Sequence, residues 1–198
     1  SIVGADAVTI DPAELDLSAH DIAGRSAHTP AVCVRPPTIT TAQAVVREAL
    51  RAGRAILPRG GGMSYTGGYQ PIAAGAILVD MGGIARIEVI EPVDGYVIVE
   101  AGCTWGALHA ALAEKGLRTP FFGPLSGIAA TIGGTLSQHG AFFGSGEHGS
   151  AADSVLGLEV ILPDGSLLRT GSWAAEGRAP FHRSYGPDLT GLFLGDCG

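Results

Sequence analysis

The eleven residues from Pro58 to Gly68, Pro-Arg-Gly-Gly-Gly-Met-Ser-Tyr-Thr-Gly-Gly, include five glycines and follow directly on the apolar run Ala55-Ile56-Leu57. So few side chains rule out a helix or strand interior, because glycine loses the most backbone entropy on ordering and offers nothing to pack. The segment is a loop in which main chain meets whatever lies opposite. Glycine reaches positive φ without a Cβ clash, so Gly60, Gly61 and Gly62 in succession can turn their N–H groups toward one point and form an anion-binding concavity. Ser64 and Thr66 can add hydroxyl donors. A plain glycine-rich turn is the simpler alternative.

Two phosphate motifs can be tested here. The dinucleotide fingerprint G-x-G-x-x-G fails because Tyr65 stands where the third glycine belongs. The P-loop fails because Gly67 is followed by Gly68-Tyr69 and not by Lys and a hydroxyl residue. No G-x-S-x-G nucleophile elbow occurs, which removes support for a serine hydrolase.

Around the loop, Ala31 to Val34 is β-prone and stopped by Pro36-Pro37. Thr40 with Gln43 reads as a capping box for a helix carrying Ala42, Val45, Val46, Ala49 and Leu50 on one face, with Gly53 as its stop. With the strand at 55–57 this predicts a β-α-β unit whose last strand feeds the glycine loop, the end of a strand at which open α/β sheets place ligands. Residues 75–80, 84–90 and 96–101 read as further strands, separated by Gly82-Gly83 and Pro92-Val93-Asp94-Gly95. Thr104 caps a helix that turns Trp105, Leu108 and Leu112 toward a core. Residues 152–169 read as a hairpin turning at Pro163-Asp164-Gly165, and Asp188 caps a short helix through Leu194. Upstream, Asp11 and Pro12 open another short helix.

A second dense region, Thr119 to Gly149, is rich in glycine and hydroxyls and poor in charge. Ser126, Thr131 and Ser137 can hydrogen-bond a polar heterocycle while the small residues leave room for it; the alternative is a glycine-rich turn into a buried helix.

With a formal net charge of -7 and no basic run, the chain as a whole repels nucleic acid and anionic membranes, although oriented amides can still hold a phosphate locally. No apolar run is long enough for a bilayer span. Three cysteines, Cys33, Cys103 and Cys197, form no C-x-x-C pair, which suits buried thiols in a reducing, cytoplasmic setting better than a disulfide framework or a zinc site. The 31 glycines are the outlier and fit a fold that wraps backbone around a cofactor.

The Pro-x-Gly-Gly-Gly-x-Ser loop after a β-α-β unit resembles the pyrophosphate loop of the flavin-binding fold shared by vanillyl-alcohol oxidase, p-cresol methylhydroxylase, glycolate oxidase and D-lactate dehydrogenase relatives. Further matches follow in order at Ala101-Gly102, Ala130-Thr131-Ile132-Gly133-Gly134, Leu162-Pro163-Asp164-Gly165 and Asp188-Leu189-Thr190-Gly191-Leu192-Phe193-Leu194-Gly195. Asp21-Ile22-Ala23-Gly24 is similar to the Asp-x-x-Gly lead-in of many glycolate oxidase relatives.

The resemblance implies an α+β fold of two subdomains, a small β-α-β unit followed by a mainly antiparallel sheet flanked by helices. The expected division is an N-terminal arm over 1–30 and an FAD-binding domain over 31–198, split into 31–80 and 81–198, with a C-terminal substrate domain not included in the chain. It implies FAD held by Pro58, Arg59, Gly60, Gly61, Gly62, Met63 and Ser64 at the pyrophosphate. Leu125, Ser126, Gly127, Ala130 and Thr131 would lie along the ribityl chain and ring. Gly133 and Gly134 would permit close helix packing, and Gln138, His139, Gly140 and Ala141 would continue the contact. Relatives that tether flavin do so at positions occupied here by Met63 and Gly127, neither able to form such a bond, so FAD is expected to be non-covalent.

The activity implied is oxidation of an alcohol or 2-hydroxy acid by hydride transfer to flavin, with a small-molecule substrate. The alternatives are an oxidase of phenolic alcohols, with Phe142 and Phe143 near the ring, and a non-catalytic flavin or nucleotide module. His139 is the one candidate acid or base, with the catalytic set otherwise unassigned. Its spacing to His148 matches no metal signature, so no metal is expected. Trp105 and His109 could form a cofactor face, but on an amphipathic helix packing and surface are the simpler roles.

Overall fold

In the computed structural model, which describes residues 2–121, 127–175 and 180–196, the arm begins with strand β1 (Val8–Thr9) and helix α1 (Pro12–Ser18). Asp11 caps α1 by accepting from the Ala13 and Glu14 amides, and Pro12 occupies a position whose missing N–H costs nothing. A minimal hairpin follows, β2 (His20–Asp21) and β3 (Gly24–Arg25), turned by the Asp21 carboxylate, which accepts from the amides of Ala23 and Gly24.

Strand β4 (Val32–Val34), helix α2 (Ile39–Arg51) and strand β5 (Ile56–Arg59) make the expected β-α-β unit, but β4 and β5 do not touch. Strand β6 (Ile77–Asp80) lies between them, parallel to both, and β1 closes the other edge antiparallel to β4, giving the order β1-β4-β6-β5. A central parallel strand is covered on both faces, which is why β6 reads as a short unbroken apolar run and why Leu78 is fully buried. Helix α2 buries Ala42, Val45 and Ala49, and Val45 packs with Val34 and Val79 as one small core.

The start of α2 differs from the sequence reading. Its cap is Thr38, whose hydroxyl accepts from the Thr41 amide at 3.2 Å while Thr41 Oγ1 accepts from the Thr38 amide at 3.0 Å. Thr38 is extended, at φ -146 and ψ 159, the backbone an N-cap needs, and reaches this geometry two residues before Thr40. Gln43 is then free for another partner, the Gly165 carbonyl at 2.9 Å, which ties α2 to the turn of the last hairpin. At the far end Gly53 takes φ 62, and the Gly53 and Arg54 amides return to Leu50 and Ala49.

Downstream, β7 (Ile87–Glu91) pairs antiparallel with β8 (Tyr96–Val99), and β9 (Glu159–Ile161) with β10 (Leu167–Arg169); among the described residues after β6 the strands form these two antiparallel ribbons. Strand β7 starts three residues later than the apolar pattern suggests because Met81–Gly83 forms a 3₁₀ turn into which Ile84 is tied. Helices α3 (Trp105–Ala113) and α4 (Ile132–Ser137) enter side by side: the Trp105 amide donates to Ala130, Ile132 to Cys103 and Gly133 to Ala101. A Cβ at Gly133 would stand 2.8 Å from the Ala101 Cβ, so that closeness needs glycine. A one-turn helix α5 (Ser145–His148) follows.

The larger core gathers Trp105, Leu108, Leu112, Phe121, Ile132 and Ala151, with the faces of β7 and β8 against it. Trp105 meets Phe121 and Phe142 edge-on at 5.7 and 5.1 Å and donates its indole N–H to Thr135 Oγ1 at 2.8 Å, so it is packing and not a cofactor face. His109 is exposed. Cys33 is half-buried and Cys103 buried, and both are free thiols that burial pushes up in pKa; Cys197 lies outside the described residues. No described helix is long and apolar enough to cross a membrane, and no described group of residues could ligate a metal.

Candidate functional site

Strand β5 carries Pro58 and Arg59 to the sheet edge and delivers the chain into the glycine loop. Only Gly62 of the three consecutive glycines has positive φ, at 70°. The other two are required for a different reason. A Cβ on Gly60 would run into the Thr131 side chain, and one on Gly61 would run into the Ala129 carbonyl group, with the Ala130 nitrogen only 3.2 Å away. The loop is thus pressed main chain to main chain against the segment entering α4, which the sequence reading of three left-handed glycines did not anticipate. Packing, not dihedral freedom, excludes side chains at 60 and 61.

The amides of Gly61, Gly62 and Met63 donate to no acceptor among the described residues. Beneath them lies the Arg59 guanidinium: a Cβ at Gly62 would stand 3.1 Å from Arg59 Cζ. Arg59 Nε is buried with no hydrogen-bond partner, and its Cζ sits 5.3 Å from the centroid of the Tyr69 ring. A buried guanidinium N–H without an acceptor is costly, and with the unpaired loop amides beside it forms a site suited to an anion. Met63 turns the opposite way and packs on the larger core. Ser64 Oγ and Thr66 Oγ1 are 3.0 Å apart, and Thr66 Oγ1 donates to Gln138 Oε1 at 2.8 Å.

The arm grips the loop from outside. Asp21 Oδ2 accepts from the Gly67 amide at 2.6 Å, Asp21 Oδ1 from Gln70 Nε2 at 2.8 Å, and the Ile22 amide donates to the Ser64 carbonyl at 2.9 Å. Tyr69, 5% exposed, sets its hydroxyl between the His20 and Gly62 carbonyls. Burial pushes the Tyr69 phenol up in pKa against the pull of Arg59. Thus Asp21, Tyr69 and Gln70 shape the loop although none belongs to the predicted set. The Asp-x-x-Gly pattern was the available signal for Asp21; the His20 carbonyl that Tyr69 reaches lies 49 residues away in sequence and left none.

Of the predicted set, the fold brings Pro58 to Ser64 together with Ala130 and Thr131, the latter two buried. Thr131 caps α4 by accepting from the Gly134 amide at 3.3 Å, and Gly133 lies within that helix. The Gly127 carbonyl accepts from the Gly106 amide. Leu125 and Ser126 lie outside the described residues. Gln138 faces the loop through Thr66, whereas Gly140 and the exposed Ala141 lead away from α4. His139 is exposed and left-handed at φ 51, with its amide returned to Leu136 and that of Gly140 to Thr135. That is the C-cap geometry of a helix ending in αL, so the unusual dihedral of His139 has a local structural cause. His148 is exposed at the end of α5.

The chain is 29% identical over 170 residues to an uncharacterized FAD-linked oxidoreductase of Mycobacterium tuberculosis, covering 85% of this chain and 35% of that protein. It is 34% identical over 143 residues to the mitochondrial D-lactate dehydrogenase [cytochrome] of Arabidopsis thaliana, covering 72% of this chain and 24% of that one. Among solved structures, p-cresol methylhydroxylase with substrate bound superposes with a TM-score of 0.82 at 25% identity, covering 98% of this chain and 38% of the other. The chain therefore spans well under half the length of the proteins it matches. The FAD binding domain model matches residues 30–171, a stretch that contains the glycine loop, the α4 approach and both antiparallel ribbons, and the chain belongs to that FAD-binding family, with FAD as its cofactor.

Proposed function

We propose that this chain is the FAD-binding part of an oxidoreductase that oxidises an alcohol or 2-hydroxy acid. The observation that carries the reading is the loop itself: unpaired amides at Gly61, Gly62 and Met63 beside the unpaired, buried Arg59 Nε, in a loop pressed so closely on Ala129 and Thr131 that a Cβ at Gly60 or Gly61 would clash. FAD, when bound, supplies the two-electron acceptor for hydride removal from the hydroxyl-bearing carbon.

The chain's residues do the holding. The loop amides and Arg59 take the pyrophosphate, where oriented dipoles and a guanidinium substitute for the water lost from the anion. Gly127, Ala130 and Thr131, with the approach to α4, border the rest of the cofactor, and their small size leaves it room. Gln138, fixed by Thr66, orients the two segments relative to each other. Neither Met63 nor Gly127 carries a nucleophile, so the cofactor is held without a covalent bond. Residues 31–80 and 81–198 act as the two subdomains of the cradle, preceded by the arm. The relatives that act on hydroxyl-bearing substrates, D-lactate dehydrogenase among them, support the substrate class. The free thiols of Cys33 and Cys103 support residence in a reducing compartment such as the cytoplasm.

The deciding experiment is the visible absorption spectrum of the purified chain after incubation with FAD and gel filtration. A retained oxidised-flavin spectrum, released on denaturation, supports the reading; a colourless chain that also fails to quench FAD fluorescence overturns it.

A further inference from the structure

We propose that Asp21, in the arm and away from the anion cradle, is the positioning residue that holds the glycine loop in its cofactor-ready shape; this rests on the FAD reading above. The carboxylate accepts from four N–H donors, shared unequally between its two oxygens. Oδ1 accepts from Ala23, Gly24 and Gln70 Nε2, at 2.8, 3.1 and 2.8 Å, and Oδ2 accepts from the Gly67 amide at 2.6 Å. The two oxygens therefore do different work. Oδ1 shapes the arm's own turn and braces it with Gln70, while Oδ2 alone reaches the loop.

Gly67 closes the segment whose amides at 61 to 63 are unpaired, and it sits in the left-handed region at φ 72. A loop with few internal hydrogen bonds has many alternative shapes, and each costs binding in proportion to its population. The Oδ2 bond, together with the Ile22 to Ser64 bond and the Tyr69 hydroxyl under Gly62, removes those alternatives before any ligand arrives. Asp21 acts at a distance from the phosphate, through Gly67.

The division of labour between the oxygens supplies the test. In Asp21→Asn the amide oxygen can keep the three turn bonds while the NH₂ group is left facing the Gly67 N–H, so loop anchoring is lost and the turn is retained. We expect Asp21→Asn to speed amide hydrogen exchange at Gly67 and weaken FAD binding, each by about tenfold, the loss associated with a charge-assisted hydrogen bond. Asp21→Ala should weaken binding at least as much. Asp11→Ala, which uncaps α1, is the control: it should lower the melting temperature and leave FAD affinity unchanged. If Asp21→Asn keeps wild-type exchange at Gly67 and wild-type affinity, with only Asp21→Ala defective, Asp21 is a turn residue and the proposal is overturned. If the wild-type chain fails to bind FAD, the cofactor reading falls instead, and exchange in the unliganded chain still decides whether Asp21 positions the loop.

Discussion

Thr66 Oγ1 donates to Gln138 Oε1 at 2.8 Å, joining the end of the glycine loop to the end of α4 across 72 residues of sequence. It is the side-chain counterpart of the main-chain contact between Gly61 and the Ala129 carbonyl, and the two together hold the candidate cradle closed. Thr66→Val removes the donor while keeping the shape. We expect a loss of about 1 kcal/mol in urea unfolding and weaker retention of FAD on gel filtration.

Gly61 tolerates no side chain. Alanine there would drive its Cβ into the Ala129 carbonyl group, and because both partners are backbone neither can swing away. Gly61→Ala should displace the loop at a cost of about 1–3 kcal/mol and abolish FAD retention, with Gly61→Val more severe. Fluorescence titration of FAD checks both; undiminished binding by Gly61→Ala would show the loop to be misplaced.

Glu100 carries the clearest pH dependence. It is 7% exposed and accepts from the Arg86 amide at 2.6 Å, from Arg86 Nε at 3.0 Å and from Nη2 at 2.7 Å. Burial alone would raise its pKa, but the Arg86 side-chain and backbone hydrogen bonds outweigh it and hold the carboxyl below the usual value of 4.5. A carboxylate depressed in the folded state contributes stability that is present above 4.5 and is lost as pH falls through the folded value. Urea midpoints measured between neutral pH and about pH 3 should therefore fall more steeply in the wild type than in Glu100→Gln, whose midpoint is lower at neutral pH.

His139 separates a structural role from a chemical one. Its φ of 51 belongs to the αL cap of α4, where glycine carries no Cβ penalty. His139→Gly should raise stability by up to about 1 kcal/mol with FAD affinity unchanged. A tenfold or greater loss of affinity in His139→Gly and His139→Ala alike would instead assign the imidazole to the cofactor, a ratio worth about 1.4 kcal/mol.

Trp105 tests the larger core. Trp105→Phe keeps an aromatic ring between Phe121 and Phe142 but leaves Thr135 Oγ1, buried, without the indole donor. A destabilisation of about 1–2 kcal/mol is expected, read by far-ultraviolet circular dichroism during thermal unfolding.

Much of this protein follows from short-range rules that act within a few residues. Asp11-Pro12 starts α1, Thr104 caps α3, Thr131 caps α4, Gly53 ends α2, and Pro163-Asp164-Gly165 turns β9 into β10. The glycine loop, and with it the family, is equally local in its signal. Where two local solutions compete, neighbours decide: Thr38 and not Thr40 caps α2, because Thr41 answers Thr38 in a capping box while Gln43 is drawn to Gly165. What the amino-acid order alone did not contain is everything that depends on who sits opposite. The insertion of β6 between β4 and β5, the Ala129 carbonyl that forbids a Cβ at Gly61 and the reach of Asp21 to Gly67 all join residues distant in the chain. Sequence determined the local turns and caps, whose energies are settled among near neighbours; tertiary structure decided the shape of the cradle, because its walls come from three separate stretches that only packing brings together.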